Sequence, residues 1–176
     1  IDEGQRLLEL CENDNLGVRY QLMHLYAHME DELHALALHK QFDSYEETQM
    51  LLPLAVLYYK LNQFDKAEDY IKRLAKVNKG AKKFLRAAAR DQLYGYMDEM
   101  SPYGYQPFTM EELLDELLSA SYLFDSVPYF FPWASKALAA KTSAKKSAGK
   151  PKLLHPVTHE EVLQRLQQAG VQNAEQ

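Results

Sequence analysis

One cysteine, Cys11, is all that this 176-residue chain contains. An internal disulfide and a cysteine-built zinc site are therefore both excluded. No histidine or basic residue stands next to Cys11 to activate it as a nucleophile. A lone thiol fits a reducing compartment, so a cytoplasmic location is the expectation. No apolar run approaches the roughly 20 residues that span a bilayer, and no membrane partner is expected. The 47% hydrophobic content is that of an ordinary soluble protein. Gly-rich phosphate loops, a nucleophile elbow and a clustered Ser-His-Asp pattern are all missing. The expectation is a non-catalytic protein with no cofactor. Residue 1 is Ile, and no basic-then-apolar leader follows it; a fragment or processed piece of a longer chain is expected.

An apolar pattern is present twice. Leu22, Met23 and Tyr26, then Ala35, Leu38, His39 and Phe42, are matched by Leu54, Ala55 and Tyr58, then Ala67, Tyr70, Ile71 and Leu74, each pair offset by 32 residues. The first three members of each set share one helical face, and the small Ala35 or Ala67 admits a second helix close across a short turn. A lone hairpin of this kind cannot bury its face, so neighbours must stack, and a regular stack leaves a concave surface.

The chain resembles the tetratricopeptide repeat family at these residues. The resemblance is clearest in Leu51, Leu54, Ala55 and Tyr58, then Gln63 to Ala67, then Ile71 and Leu74. The second repeat, about Thr48 to Ala81, is the stronger match. The first, about Leu16 to Glu47, has Arg19 where a bulky apolar residue is usual and His39 where an aromatic is usual. Asn13 to Tyr20, with the later Tyr- and Pro-rich stretch, looks like a group of bacterial proteins with divergent repeats of this type. The resemblance implies an all-α array of antiparallel helical hairpins, an α-solenoid with two clear repeats, a degenerate third and a C-terminal capping helix. It also implies a protein-interaction module or scaffold.

Local signals place the helices. A first helix ends near Cys11, Asn13 to Asn15 supply stop and cap chemistry, and a second helix runs to about Met29. A turn at Glu30 and Asp31 leads into a helix ending near Phe42, and Asp43 or Ser44 is expected to cap the next. Pro53 removes a helical hydrogen bond, which favours a late start for that helix; its partner ends near Asn78. Another helix is expected from Gly80 or Ala81 to Met97. Residues 98–108 are too rich in Pro and Gly for regular structure and too aromatic for a free linker. Thr109 and Glu112 form a capping box before Leu113, Leu114, Leu117, Leu118 and Tyr122, and the aromatic run from Pro128 to Trp133 is expected to pack as a lid. The array should span residues 1–135, a basic flexible linker 136–157, and a short helix and tail 158–176.

Two surfaces are candidates for function. In the related family the concave side is lined by first helices, which implies Tyr20, His24, His28, Leu52, Val56, Tyr59 and Lys60 as peptide-contacting residues, with Ala27, Leu85, Ala89 and Gln92 beside them. The competing possibility is that the C-terminal segment fills this groove. Charge marks the second surface. Residues 1–125 carry 13 Lys and Arg against 22 Asp and Glu, yet no acid stands between Tyr70 and Asp91. Lys79, Lys82, Lys83, Arg86 and Arg90 form a basic patch there, and Lys82, Arg86 and Arg90 recur every fourth residue. Such a stripe is able to meet an acidic peptide or nucleic-acid phosphates; a solvated helix face is the more ordinary explanation. Residues 126–159 add six lysines and no acid. His24 and His28 have i, i+4 spacing, but Leu25 stands where the metalloprotease signature needs Glu, and no metal site is expected.

Overall fold

A computed structural model describes residues 1–11 and 13–140. Among the described residues there are ten α-helices and no strand. The expected helix at 158–176 lies outside the described residues, as does the expected linker from 141 onward; residues 136–139 belong to a helix instead.

The 32-residue repeat reaches down to the backbone of the turns. Helix α2 (Val18–His28) is followed by α3 (Glu32–Gln41), and α4 (Thr48–Lys60) by α5 (Phe64–Val77). In the first turn Glu30 sits at φ 62° and Asp31 N–H donates to Tyr26 O; in the second, Asn62 sits at φ 58° and Gln63 N–H donates to Tyr58 O, both bonds 2.9 Å. This is the left-handed helix stop whose amide reaches back five residues. Both hairpins are therefore closed by one device at one offset. Ala35 and Ala67 are fully buried, and α4 packs on α5 and α2, α2 on α3 and on α1 (Asp2–Leu10).

Asp14 starts α2. Its Oδ1 accepts from Val18 N at 2.7 Å and its Oδ2 from Arg19 N at 3.1 Å, with Gly17 at φ 67° completing the turn. Arg19 then reaches across units: it pairs with Asp14 at 3.0 Å and Glu47 at 3.5 Å and lies over the rings of Tyr20 and Phe42. The cation thus fills the apolar slot by its stem and by its stacking.

Three expectations are corrected. Helix α4 begins at Thr48, later than a cap at Asp43 or Ser44 would start it, yet not late enough to leave Pro53 outside its interior. Met50, Leu51, Leu52, Leu54 and Ala55 are all fully buried, and at roughly 1.5–3 kcal/mol per large side chain this outweighs the about 3 kcal/mol that an internal proline costs. Asp43 and Ser44 do not cap α4: both take positive φ at the end of α3, and the cap position is Glu47. The expected helix to Met97 breaks. Helix α6 (Ala81–Ala88) ends in a turn with Asp91 at φ 55° and Gln92 N–H bonded to Ala87 O at 2.9 Å, and a short α7 (Tyr94–Met97) follows.

The remaining helices, α8 (Met110–Ser119), α9 (Ser121–Asp125) and α10 (Phe130–Ala139), pack back on the hairpins: α8 meets α4 and α6, α9 meets α2, and α10 meets α5 and α6. Phe130 is fully buried, while Tyr129 at the start of the aromatic run stays exposed. Gly80 permits the closest approach, since a Cβ there would sit 2.2 Å from the backbone N of Met110. Gly80→Ala is therefore expected to lose about 1–3 kcal/mol, whereas Gly95→Ala, with nothing within 4 Å of its Cβ, should gain about 0.4–1 kcal/mol. Urea midpoints check both; equal midpoints for wild type and Gly80→Ala would remove this close contact from the account.

Candidate functional site

The residues expected to contact a peptide do not form an open groove. Leu52 and Val56 are fully buried, and His24 is 5% exposed. His24 Nε2 lies 2.5 Å from Glu116 Oε1 on α8. His28 meets the ring of Tyr122 edge-on, with centroids 5.3 Å apart. Tyr59 packs with Phe130 at 5.4 Å and Trp133 at 5.1 Å, both on α10. Lys60 caps the end of α2, donating to the carbonyls of Ala27 and His28. Tyr20 takes a hydrogen bond from Arg19 and gives one to Glu47; burial and the Glu47 charge push its phenol up to about 12. Helices α8, α9 and α10 thus engage His24, His28 and Tyr59, whereas Tyr20 and Lys60 are held by residues of or beside α2 and α4, and His28 remains exposed. Of the further positions, Ala27 and Leu85 are fully buried, while Ala89 is half-buried and Gln92 exposed.

A polar seam holds α8 in that place. Glu112 Oε2 accepts from Thr48 Oγ1 at 2.7 Å, from Asn78 Nδ2 at 3.2 Å and from Phe108 N at 2.7 Å. The capping box is thus replaced: Glu112 bonds the amide before Thr109, and Thr109 Oγ1 donates to Gln106 O. Burial raises the Glu112 carboxyl above its ordinary range, against the three donors that lower it. One turn on, Glu116 is fully buried, and its Oε2 has no partner among the described residues.

The basic residues do converge, with a change of membership. A cleft of about 510 Å³ between α6 and α10 is lined by Lys82, Arg86, Arg90 and Lys136, with Leu85, Leu138 and Ala139 as its apolar part. A second, of about 390 Å³, continues from Lys82 and Leu138 to Lys72, Lys76, Ala75 and Asp69 on α5. A third, of about 320 Å³, continues from Arg86 and Arg90 to Lys83 and Tyr96. Shared side chains join the three into one track. Lys79 is exposed but lines none of the three. Lys72 pairs with Glu68, and Lys83 lies over the Tyr96 ring at 4.3 Å. No ion pair joins Lys82, Arg86, Arg90 or Lys136 to a carboxylate among the described residues. Lys136 is the member that sequence reasoning missed, having been placed in a basic linker; only the folding back of α10 brings it to α6.

No protein-family model, curated protein or solved structure matches this chain. Chemistry must therefore be read from the residues alone. Among the described residues, no three His, Cys, Asp or Glu side chains are grouped to hold a metal ion. His24 is turned to Glu116 and His28 to Tyr122, so the two imidazoles have separate partners. Cys11 is half-buried. No helix among the described residues is long and apolar enough to cross a membrane.

The seam yields a prediction with a definite sign. A carboxyl whose folded pKa is raised loses stability as pH rises from its unfolded range through its folded one. Glu112→Gln keeps an acceptor for the three donors without the buried charge, so its stability relative to wild type should improve on going from pH 4 to pH 7. Glu112→Ala leaves Thr48 Oγ1 and Phe108 N unmet, while Asn78 Nδ2 keeps Thr48 Oγ1 and Thr109 O, and should cost about 2–4 kcal/mol at pH 4. Urea unfolding at both pH values decides it. A Gln variant whose gap to wild type is independent of pH would contradict the assignment.

Proposed function

We propose that this chain is a non-catalytic protein-interaction module, a short tetratricopeptide-like array whose working surface is its outer basic track. The partner is a protein with an acidic segment that lies along α5, α6 and α10. One observation carries the reading: in a chain of net charge −5, seven cations line three joined clefts in which Asp69 is the single acid. Lys72 has Glu68 as a partner, but Lys82, Arg86, Arg90 and Lys136 stand beside one another and repel, and a bound anion relieves that repulsion. The concave side, already taken by α8 to α10, offers a partner little by comparison.

A nucleic-acid strand is the competing ligand. Single strands are held by stacking on open ring faces along a cationic groove. The track has one ring, Tyr96, and Lys83 covers it. The clefts between α10 and its neighbours are instead floored by Leu and Ala, a lining that suits polypeptide side chains.

Fluorescence anisotropy with a labelled glutamate-rich peptide, and with a single-stranded RNA of equal charge, tests this. The peptide is expected to bind, and Arg86→Glu with Arg90→Glu should weaken it about tenfold per reversed charge, or about 1.4 kcal/mol each. Both residues are exposed, so the fold should persist. Val56→Asp, by contrast, should unfold the protein rather than remove binding selectively. RNA binding tighter than the peptide, with the steeper salt dependence of phosphate contacts, would transfer the assignment to a nucleic-acid-associated factor.

A further inference from the structure

The two clefts that α10 forms, one with α5 and one with α6, share a single apolar side chain, Leu138, and a single cation, Lys82. Resting on the proposed binding of an acidic segment, we infer that this segment carries one aliphatic side chain that seats on Leu138, with carboxylates on either side of it.

Leu138 is half-buried against the hydrophobic core, so it is a fixed floor and not a loose surface residue. The residues beside it are small. Ala75 on α5 and Ala137 and Ala139 on α10 line the same clefts without filling them, which leaves about 510 Å³ and 390 Å³ on the two sides of Leu138. Charge stands on both walls, with Arg86 on α6 facing the cleft from one side and Lys136 on α10 from the other. A ligand that is only charged would satisfy the walls and leave the apolar floor wet. One with an aliphatic side chain between two carboxylates satisfies both, because the side chain leaves water as the carboxylates reach the cations. The anchor also sets register, since it can sit in only one place along the track.

Two labelled peptides of identical charge, each a central residue flanked by glutamates, separate this from charge alone. One has Leu at the centre and the other Ala, and both are titrated into the full chain by anisotropy. The Leu peptide should bind about tenfold tighter, less than full burial of the side chain would allow. Ala139→Trp places a ring over the floor at an exposed position; it should bring the ratio of the Leu to the Ala peptide's affinity close to one, whatever it does to either affinity alone. Equal affinities on the wild-type chain would overturn the anchor and leave the acidic-partner reading standing. A preference that survives Ala139→Trp would also overturn it, by putting the contact elsewhere. If neither peptide binds while equally charged RNA does, both the anchor and the acidic-partner reading fall.

Discussion

A single carboxylate oxygen, Glu112 Oε2, gathers donors from the start of α4, from the residue that ends α5 and from the loop before α8. Three segments far apart in sequence are therefore located by one atom. Asn78 adds to the junction by donating to Thr48 Oγ1 and to Thr109 O, while its own Oδ1 accepts from Gly80 N. Every donor in this seam would be costly to leave unmet in a buried place. The seam consequently fixes where α8 begins, and the fixed start of α8 carries Glu116 one turn on to His24. Buried acids seldom add net stability compared with apolar residues of the same shape. Their effect here is to admit one register of α8 against α2 and α4.

That register decides which surface is left for partners. Once α8, α9 and α10 lie against the hairpins, His24, Leu52 and Val56 are interior, while Tyr20, Tyr59 and Lys60 are half-buried and His28 stays exposed. The same folding back brings Lys136 beside α6 and converts a stripe on one helix into a two-walled cleft. The loss of one surface and the making of the other are thus a single event in the packing.

The repeats were legible because their signal is redundant: apolar positions, small Ala35 and Ala67, and the helix stops all recur at one offset. The end of α6 was not legible, although it uses the same kind of stop. Its left-handed residue is Asp91, which, unlike Glu30 and Asn62, does not fall at the repeat offset, where Tyr94 stands instead. Pro53 misled in the opposite direction, because a local penalty of one hydrogen bond was set against burial that only the tertiary fold supplies. Thr109 and Glu112 marked the right boundary for a different reason than the one expected: the carboxylate is drawn to Thr48 and Asn78, which lie 64 and 34 residues away in sequence. The groove and the track could not be told apart from sequence because both depend on where the last three helices come to rest.

The charge distribution constrains how such a track can work. Most of the chain's acids lie in the first 125 residues, which also carry every cation of the track but Lys136, so an acidic partner meets net repulsion at long range. Attraction takes over only within roughly the 10 Å over which salt leaves a charge visible at 0.1 M. Electrostatic steering, which accelerates association between oppositely charged molecules, is therefore weak here. Association then proceeds at the rate of unguided docking, and affinity must be set by how slowly the complex comes apart. Exposed ion pairs alone contribute little to that, because water and salt replace them readily. A contact that excludes water is needed, and on the α10 side of the track Leu138 with its flanking alanines is the surface that provides one.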